Sequence, residues 1–214
     1  MELKEIKMDT DYDKIKKIAV SNRKMSGNAY FQNIDGLKEH GACGLLLREK
    51  DLTLTEYFRL ADRVRKRPGF SLPMILHTGI RYPDKTEVLR KMAGYVAKYG
   101  MAGIHFTGPD FGVYCKHREN MDFGKKILTG VSVHSVTEAE IAEKSGADYL
   151  IAGHIFETGC KPGMRPRGTE FLQCVCKQVS IPVYAIGGIT KENAALTIQS
   201  GAAGICMMSG FFKT

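Results

Sequence analysis

Eight short apolar runs punctuate the chain, at residues 16–23, 42–48, 72–77, 102–106, 131–133, 147–152, 182–186 and 203–208. Runs of this length, bounded by polar or glycine-rich stretches, predict buried strands. Between them apolar residues recur at helical spacing. Leu54, Tyr57, Phe58, Ala61 and Val64 give a helix over residues 53–67, stopped by Pro68-Gly69. Asp84 is suited to N-cap a helix that runs to Tyr99 and ends at Gly100. Further helices are expected over residues 31–39, 136–145 and 169–179, and from an N-cap at Thr190 to Gly201. Residues 107–110 read as a loop, and 111–126 as less regular with one short helix near Glu119.

A glycine that ends a helix, followed by a small or apolar pair opening a strand, recurs at Gly41-Ala42-Cys43, Gly100-Met101-Ala102, Gly146-Ala147-Asp148 and Gly201-Ala202-Ala203. The interval of roughly 50 residues is that of two strand–helix units joined by short loops. Eight strands with intervening helices predict an α/β fold, a (β/α)8 TIM barrel with right-handed crossovers. Only Phe211-Phe-Lys-Thr214 follows the last strand, so the final helix is expected to be missing. Residues 1–15 read as an N-terminal extension and 16–214 as a single barrel domain. Either the extension or a second copy of the chain, in a homodimer, would cover the exposed side.

Composition changes this picture little. The 214 residues are 43% hydrophobic and 25% charged, which suits one globular domain. A formal net charge of +8 favours anionic ligands. The basic residues are dispersed and not interleaved with aromatics, so nucleic acid is not expected as a partner. No apolar run is long enough to span a membrane and no secretory signal is visible, leaving the cytoplasm as the default location. The six cysteines show no metal-binding spacing, and Cys43 and Cys206 fall in apolar runs as expected core thiols.

Chemistry-capable side chains gather where strands end, the place barrels build active sites. Ser132 and His134 follow the fifth strand, and His154, Thr158 and Lys161 the sixth. A histidine with an unperturbed pKa near ~6.5 suits proton transfer at neutral pH; the alternative is that His134 or His154 only caps the rim. Arg48 and Lys50 share one face of the second strand's end, as anion ligands or as surface partners of Glu49 and Asp51. Gly187-Gly188 and Ser209-Gly210 follow the seventh and eighth strands, the usual position of a barrel's phosphate cradle. His77, His105, His134 and His154 end four successive strands, which raises zinc as an alternative; carboxylate partners are sparse, and no metal is expected.

Arg48-Glu-Lys50, Gly130-Val-Ser-Val-His-Ser135, Gly146-Ala-Asp-Tyr149, Phe156-Glu-Thr-Gly-Cys-Lys161, Ala185-Ile-Gly-Gly-Ile189 and Met208-Ser-Gly210 resemble the thiamine phosphate synthase/TenI superfamily. The resemblance spans about residues 16–212 and is dense from 130 onward. Its synthase branch joins a pyrimidine diphosphate to a thiazole phosphate with Mg²⁺. In that branch a Gln precedes the strand-2 Arg, Asn-Asp follows strand 3, and Thr-x-Thr-Lys follows strand 6. Here Leu46, His77-Thr78 and Cys160 stand at those positions, while Lys50, Thr158 and Lys161 remain synthase-like and Asp110 matches a second Mg²⁺ ligand. Gly153-His-Ile-Phe-Glu-Thr-Gly-Cys-Lys161 resembles the signature of the TenI branch, whose bacterial members are thiazole tautomerases.

That resemblance implies an isomerase that aromatises a carboxythiazole phosphate by a cofactor-free 1,3-proton shift. His134 would carry the proton, Arg48 would hold the ring carboxylate, Lys50, Ser132, Thr158 and Lys161 would bind substrate, and Gly187, Gly188, Ser209 and Gly210 would hold the phosphate. Two alternatives remain. One is a divergent Mg²⁺-dependent thiamine phosphate synthase, a transferase; the other is a non-catalytic thiazole-phosphate-binding or regulatory protein.

Overall fold

In the computed structural model, residues 11–80, 82–121 and 126–213 are described. Eight strands close a barrel in sequence order, with every neighbouring pair parallel. They are β1 (Lys17–Val20), β2 (Ala42–Leu47), β3 (Met74–His77), β4 (Gly103–Phe106), β5 (Leu128–Val133), β6 (Tyr149–Gly153), β7 (Val183–Ile186) and β8 (Gly204–Met207). The TIM-barrel expectation holds.

Side-chain alternation splits the core in two. Ile18, Val20, Leu46, Ile75, Tyr149, Ile151 and Cys206 fill the barrel interior. Their alternates, such as Ala19, Leu45, Leu47, Leu76, Ile104 and Leu150, pack outward in the larger cluster shared with the helices. Along the strands and one residue past their ends, the same alternation puts Arg48, His77, His105, Ser132 and His134 in line with the interior set.

The helices start where their caps require. Thr53 and Glu56 form a capping box that opens α3 (Leu54–Arg65). Asp84 accepts from the Glu87 amide at the start of α4 (Lys85–Tyr99), and Gly100 ends it in the left-handed region at φ +66. Ser135 caps α6 (Val136–Lys144), and α7 spans Gly168–Gln178.

Several boundaries differ from expectation, each for a local reason. Residues 107–110 are not a loop, because Thr107 accepts from the Asp110 amide and opens α5 (Gly108–His117) with Pro109 in its first turn. A 3-10 turn at Arg118–Asn120 matches the short helix expected near Glu119. The residue 31–39 helix is preceded by α1 (Arg23–Ser26), capped by Asn22, and is itself shorter as α2 (Tyr30–Gly36). Thr190 does not cap α8 (Ala194–Gln199). The Asn193 side chain instead accepts from the Thr190 amide at 2.8 Å and donates to the Gly188 carbonyl at 2.9 Å, so residues 190–193 form a polar turn before the helix.

Cys43 is exposed, contrary to its expected core role, whereas Cys206 is buried. Lys17 faces Ala42 while Ile18 faces Gly44, so β2 carries one extra residue there, and that residue is Cys43. A bulge turns its side chain out of the ladder's alternation.

A helical turn follows β8 where no final helix is expected. α9 (Ser209–Phe212) makes one turn, and Phe212, fully buried, stacks on Tyr30 with ring centroids 5.7 Å apart. The side that the final helix would cover is thus closed in part by α1 and α2. Residues 1–10 of the expected extension lie outside the described residues. Residues 12–14 form a 3-10 turn and Ile15 joins the core, so the barrel's packing begins before residue 16. Among the described residues no helix is long and apolar enough to cross a membrane.

Candidate active site

A cavity of about 510 Å³ opens at the C-terminal ends of the strands. Arg48, Lys50, Ser132, His134, Thr158, Lys161, Gly187, Gly188 and Ser209 all line it. His105, Asp110 and Gly210, also singled out from the sequence, do not line it; the position a Cβ would take at Gly210 lies 2.5 Å from Met207 Cε.

The charge at the mouth is mostly positive, with Arg48, Lys50 and Lys161 against one lining carboxylate, Glu138. Arg23, not Arg48, pairs with the nearby acids: its Nη2 lies 3.1 Å from Asp51 Oδ2 and its Nε 3.8 Å from Glu49 Oε2. Ser21 Oγ and the Arg23 amide also donate to Glu49, and the Arg48 amide donates to Ser21 Oγ at 2.9 Å. The backbone under Arg48 is therefore held while its guanidinium has no ion pair among the described residues. Burial lowers the pKa of that guanidinium from its ordinary value. Lys50 also lacks an ion pair; although the residue is exposed, its ammonium is pushed down, first by desolvation and then by the charges of Arg48 and Lys161. Lys161 sits on a turn whose amide donates to the Thr158 carbonyl at 3.0 Å. Three cations that face one cavity and make no ion pair among the described residues form a site for an anion.

His134 is the exposed side chain at the end of β5. Its Nδ1 lies 2.8 Å from the Gly153 carbonyl, which only accepts, so Nδ1 carries a proton and the lone pair of the neutral ring is the one on Nε2. The His134 amide donates to Glu138 Oε2 at 2.6 Å, and Ser135 Oγ accepts from the Glu138 amide at 3.0 Å. The capping geometry of α6 thus fixes the backbone from which the imidazole projects.

The other strand-end histidines differ in kind. His154 is buried, and its Nε2 donates to the Met164 carbonyl at 3.2 Å, fastening the loop that carries Lys161. His77 Nδ1 accepts from the Gly79 amide at 2.8 Å, and burial holds the ring well below its ordinary pKa. His105 is fully buried, pushed down to about 3 chiefly by desolvation, and bonded to Ser132 and Tyr149.

Gly187 and Gly188 lie at φ +101 and +65, and an added Cβ would come within 2.3 Å of His154 Cβ or 2.2 Å of the Glu157 carbonyl oxygen. Their backbone is pressed against the β6 loop, so the fold demands both glycines before any ligand does. The amides of Ser209 and Gly210 open the first turn of α9, where no intrahelical acceptor exists.

The donor set does not suit Mg²⁺. Asp110 is buried, accepts from Thr78 Oγ1 at 2.7 Å and lies 3.5 Å from Lys85 Nζ, which neutralises it. Thr78, where the synthase pattern has a carboxylate, brings only a hydroxyl. A hard cation needs several oxygen ligands with net negative charge. Among the described residues no three His, Cys, Asp or Glu side chains come together in a way that suits a metal ion.

Glu138, Asn22 and Met208 are among the cavity residues that are not site candidates from sequence. Glu138 was legible as a first-turn acid of α6, but not its bond to the His134 amide. Asn22 lies just past β1 and its Nδ2 sits 3.0 Å from Met208 Sδ, a contact between chain ends that no local pattern reveals.

Comparison with known proteins agrees with the fold and the motifs. A family model described as thiamine monophosphate synthase matches residues 84–211. The chain is 30% identical to a putative thiamine-phosphate synthase 2 of Aquifex aeolicus over 195 residues, 91% of this chain and 96% of that one. It is 34% identical to a thiamine-phosphate synthase of Chlorobium luteolum over 174 residues, 81% of this chain and 75% of that one. Among solved structures, a thiamine phosphate pyrophosphorylase from Pyrococcus furiosus aligns with a TM-score of 0.69 at 26% identity, covering 92% of this chain and 87% of that one. The chain is a member of the thiamine phosphate synthase/TenI superfamily.

Proposed function

We propose that this member of the family is a thiazole tautomerase, which aromatises a carboxythiazole phosphate without a metal. The observation that carries the reading is the geometry of His134, whose Nδ1–H is held by the Gly153 carbonyl. A 1,3-proton shift needs one group that takes a proton from the ring carbon and returns it to the exocyclic carbon. His134 Nε2 takes the proton, and the Gly153 carbonyl stabilises the imidazolium that forms. The same proton is then delivered, so substrate and product differ only in its position. Arg48 faces the ring carboxylate with its planar fork. The turns at Gly187-Gly188 and Ser209 receive the phosphate, and Lys50 and Lys161 offset the remaining charge.

The second reading, thiamine phosphate synthesis, draws on the relatives that are thiamine-phosphate synthases by name and on Lys50, Thr158 and Lys161 in the cavity. Against it stands the sequestered Asp110, with a threonine beside it in place of a second carboxylate. Tautomerisation by wild type and His134→Gln in EDTA separates the readings. Turnover that persists in EDTA and falls at least ~100-fold in the variant is expected for loss of a general acid–base. Thiamine phosphate formation only with Mg²⁺ and both synthase substrates would establish the transferase instead. Binding of the thiazole without turnover in either assay would leave a ligand-binding protein.

A further inference from the structure

A buried polar chain runs from the barrel interior to the cavity wall. Tyr149 Oη lies 3.2 Å from His105 Nδ1, and His105 Nε2 lies 2.8 Å from Ser132 Oγ. His105 and Tyr149 are 0% and 6% exposed, while Ser132 lines the cavity. The neighbours of Tyr149 inside the barrel are apolar, Ile75, Ile151 and Cys206 among them. His77 stands apart from the chain: its ring centroid is 5.6 Å from that of His105, and its Nδ1 is occupied by the Gly79 amide.

The direction of the hydrogen bonds follows from what each group can do. Burial keeps the His105 ring neutral, with one N–H and one lone pair, and keeps the Tyr149 phenol protonated. Among the described residues His105 is the only hydrogen-bond partner of that phenol. A buried O–H left without an acceptor is costly, so the phenol donates and Nδ1 accepts. Nε2 must then carry the ring proton and donate it to Ser132 Oγ. The hydrogen of Ser132 is the one left over, and the open side of the serine is the cavity.

We infer that Tyr149 and His105 are positioning residues that orient the Ser132 hydroxyl as a hydrogen-bond donor to an anionic oxygen of the substrate. The inference rests on the proposed binding of carboxythiazole phosphate in this cavity, and it gives His105 and Tyr149 a role that packing alone does not. The reverse polarity would present lone pairs of Ser132 to an anion and repel it.

Nitrogen-15 spectra of the imidazoles in the whole protein read the tautomer directly. Wild-type His105 is expected as the neutral Nε2–H form, and Tyr149→Phe, which keeps the ring, is expected to release it towards Nδ1–H. A wild-type Nδ1–H tautomer would overturn the inference. Calorimetry with carboxythiazole phosphate supplies the second arm. Ser132→Ala and Tyr149→Phe are each expected to weaken binding by about tenfold or more, as for loss of a hydrogen bond to a charged group. Because Tyr149 acts through Ser132, the double variant should bind no more weakly than Ser132→Ala. Additive losses would mean that Tyr149 only packs, and would also overturn it. If the wild type bound no thiazole phosphate, the substrate reading and the assigned role of Ser132 would both fall, while the tautomer would still be decided by the spectrum.

Discussion

Arg48 shows how one residue's setting specifies a ligand. Its guanidinium is partly desolvated, its backbone is pinned through Ser21, and the carboxylates nearby are taken by Arg23. A planar fork in such a position binds a carboxylate through two parallel bonds, which a lysine cannot reproduce. Arg48→Lys is therefore expected to raise KM for the carboxythiazole phosphate by about tenfold, and Arg48→Ala by more. Steady-state kinetics at fixed ionic strength measure both; equal KM for the lysine variant and wild type would remove the bidentate contact. His105 makes a second prediction, on stability. Its pKa is about 3 when folded, against ~6.5 when unfolded. Above pH 6.5 neither state binds the proton and stability is fully present; as pH falls towards 3 the unfolded state binds it and the folded state does not. The His105 contribution is lost over that window at about 1.4 kcal/mol per pH unit. Urea unfolding at pH 7, 6 and 5 should show a shallower decline for His105→Gln than for wild type, and parallel curves would refute the buried neutral ring.

At the scale of elements, close approach sets the rules. An added Cβ at Gly130 on β5 would fall 2.1 Å from Tyr149 Cζ on β6, so this glycine makes room for the inward phenol. Gly130→Ala is expected to destabilise the barrel by roughly 1–3 kcal/mol through overpacking, read as a shift of the urea midpoint; no shift would mean that Tyr149 repacks freely. Strands and most helices could be read from sequence because their signals are local. Asp84 with Gly100, and Thr53 with Glu56, announce helix ends within a few residues. α1 was missed because Asn22 caps a segment with no apolar period, and α8 was started early because Thr190 looks like a cap until Asn193 bonds to it. Cys43 was placed in the core because an apolar run does not reveal a bulge. In the site, alternation aligns Arg48 with Lys50, and position at a strand end marks Ser132 and His134. The Glu138 bond to the His134 amide, the Asn22 contact with Met208 and the sequestering of Asp110 needed the fold, since each joins groups set by the closure of loops or strands.

At the scale of the whole molecule, closure of the barrel depends on joining the two ends of the chain. β1 pairs with β8 through Lys17–Ile205, Ile18–Cys206 and Ala19–Met207, and a helical turn, α9, follows β8. The turn is tied to α1 and α2 by a small set of contacts. Phe212 is fully buried and stacks on Tyr30 at 25°, and Ser26 Oγ donates to the Phe212 carbonyl at 2.9 Å. The same seam carries Asn22 and Met208, both on the cavity wall, so loosening it should disturb the site as well as the fold. Phe212→Ala removes a buried ring at the seam and is expected to cost about 3–5 kcal/mol. For a chain of this size that corresponds to a fall in Tm on the order of 10 °C. The amides of Ile205, which donates to the Lys16 carbonyl, and of Met207 should exchange faster in the variant, while those of β5 and β6, across the barrel, change less. An unchanged Tm, or uniform acceleration of exchange around all eight strands, would show that closure does not rest on this one turn of helix.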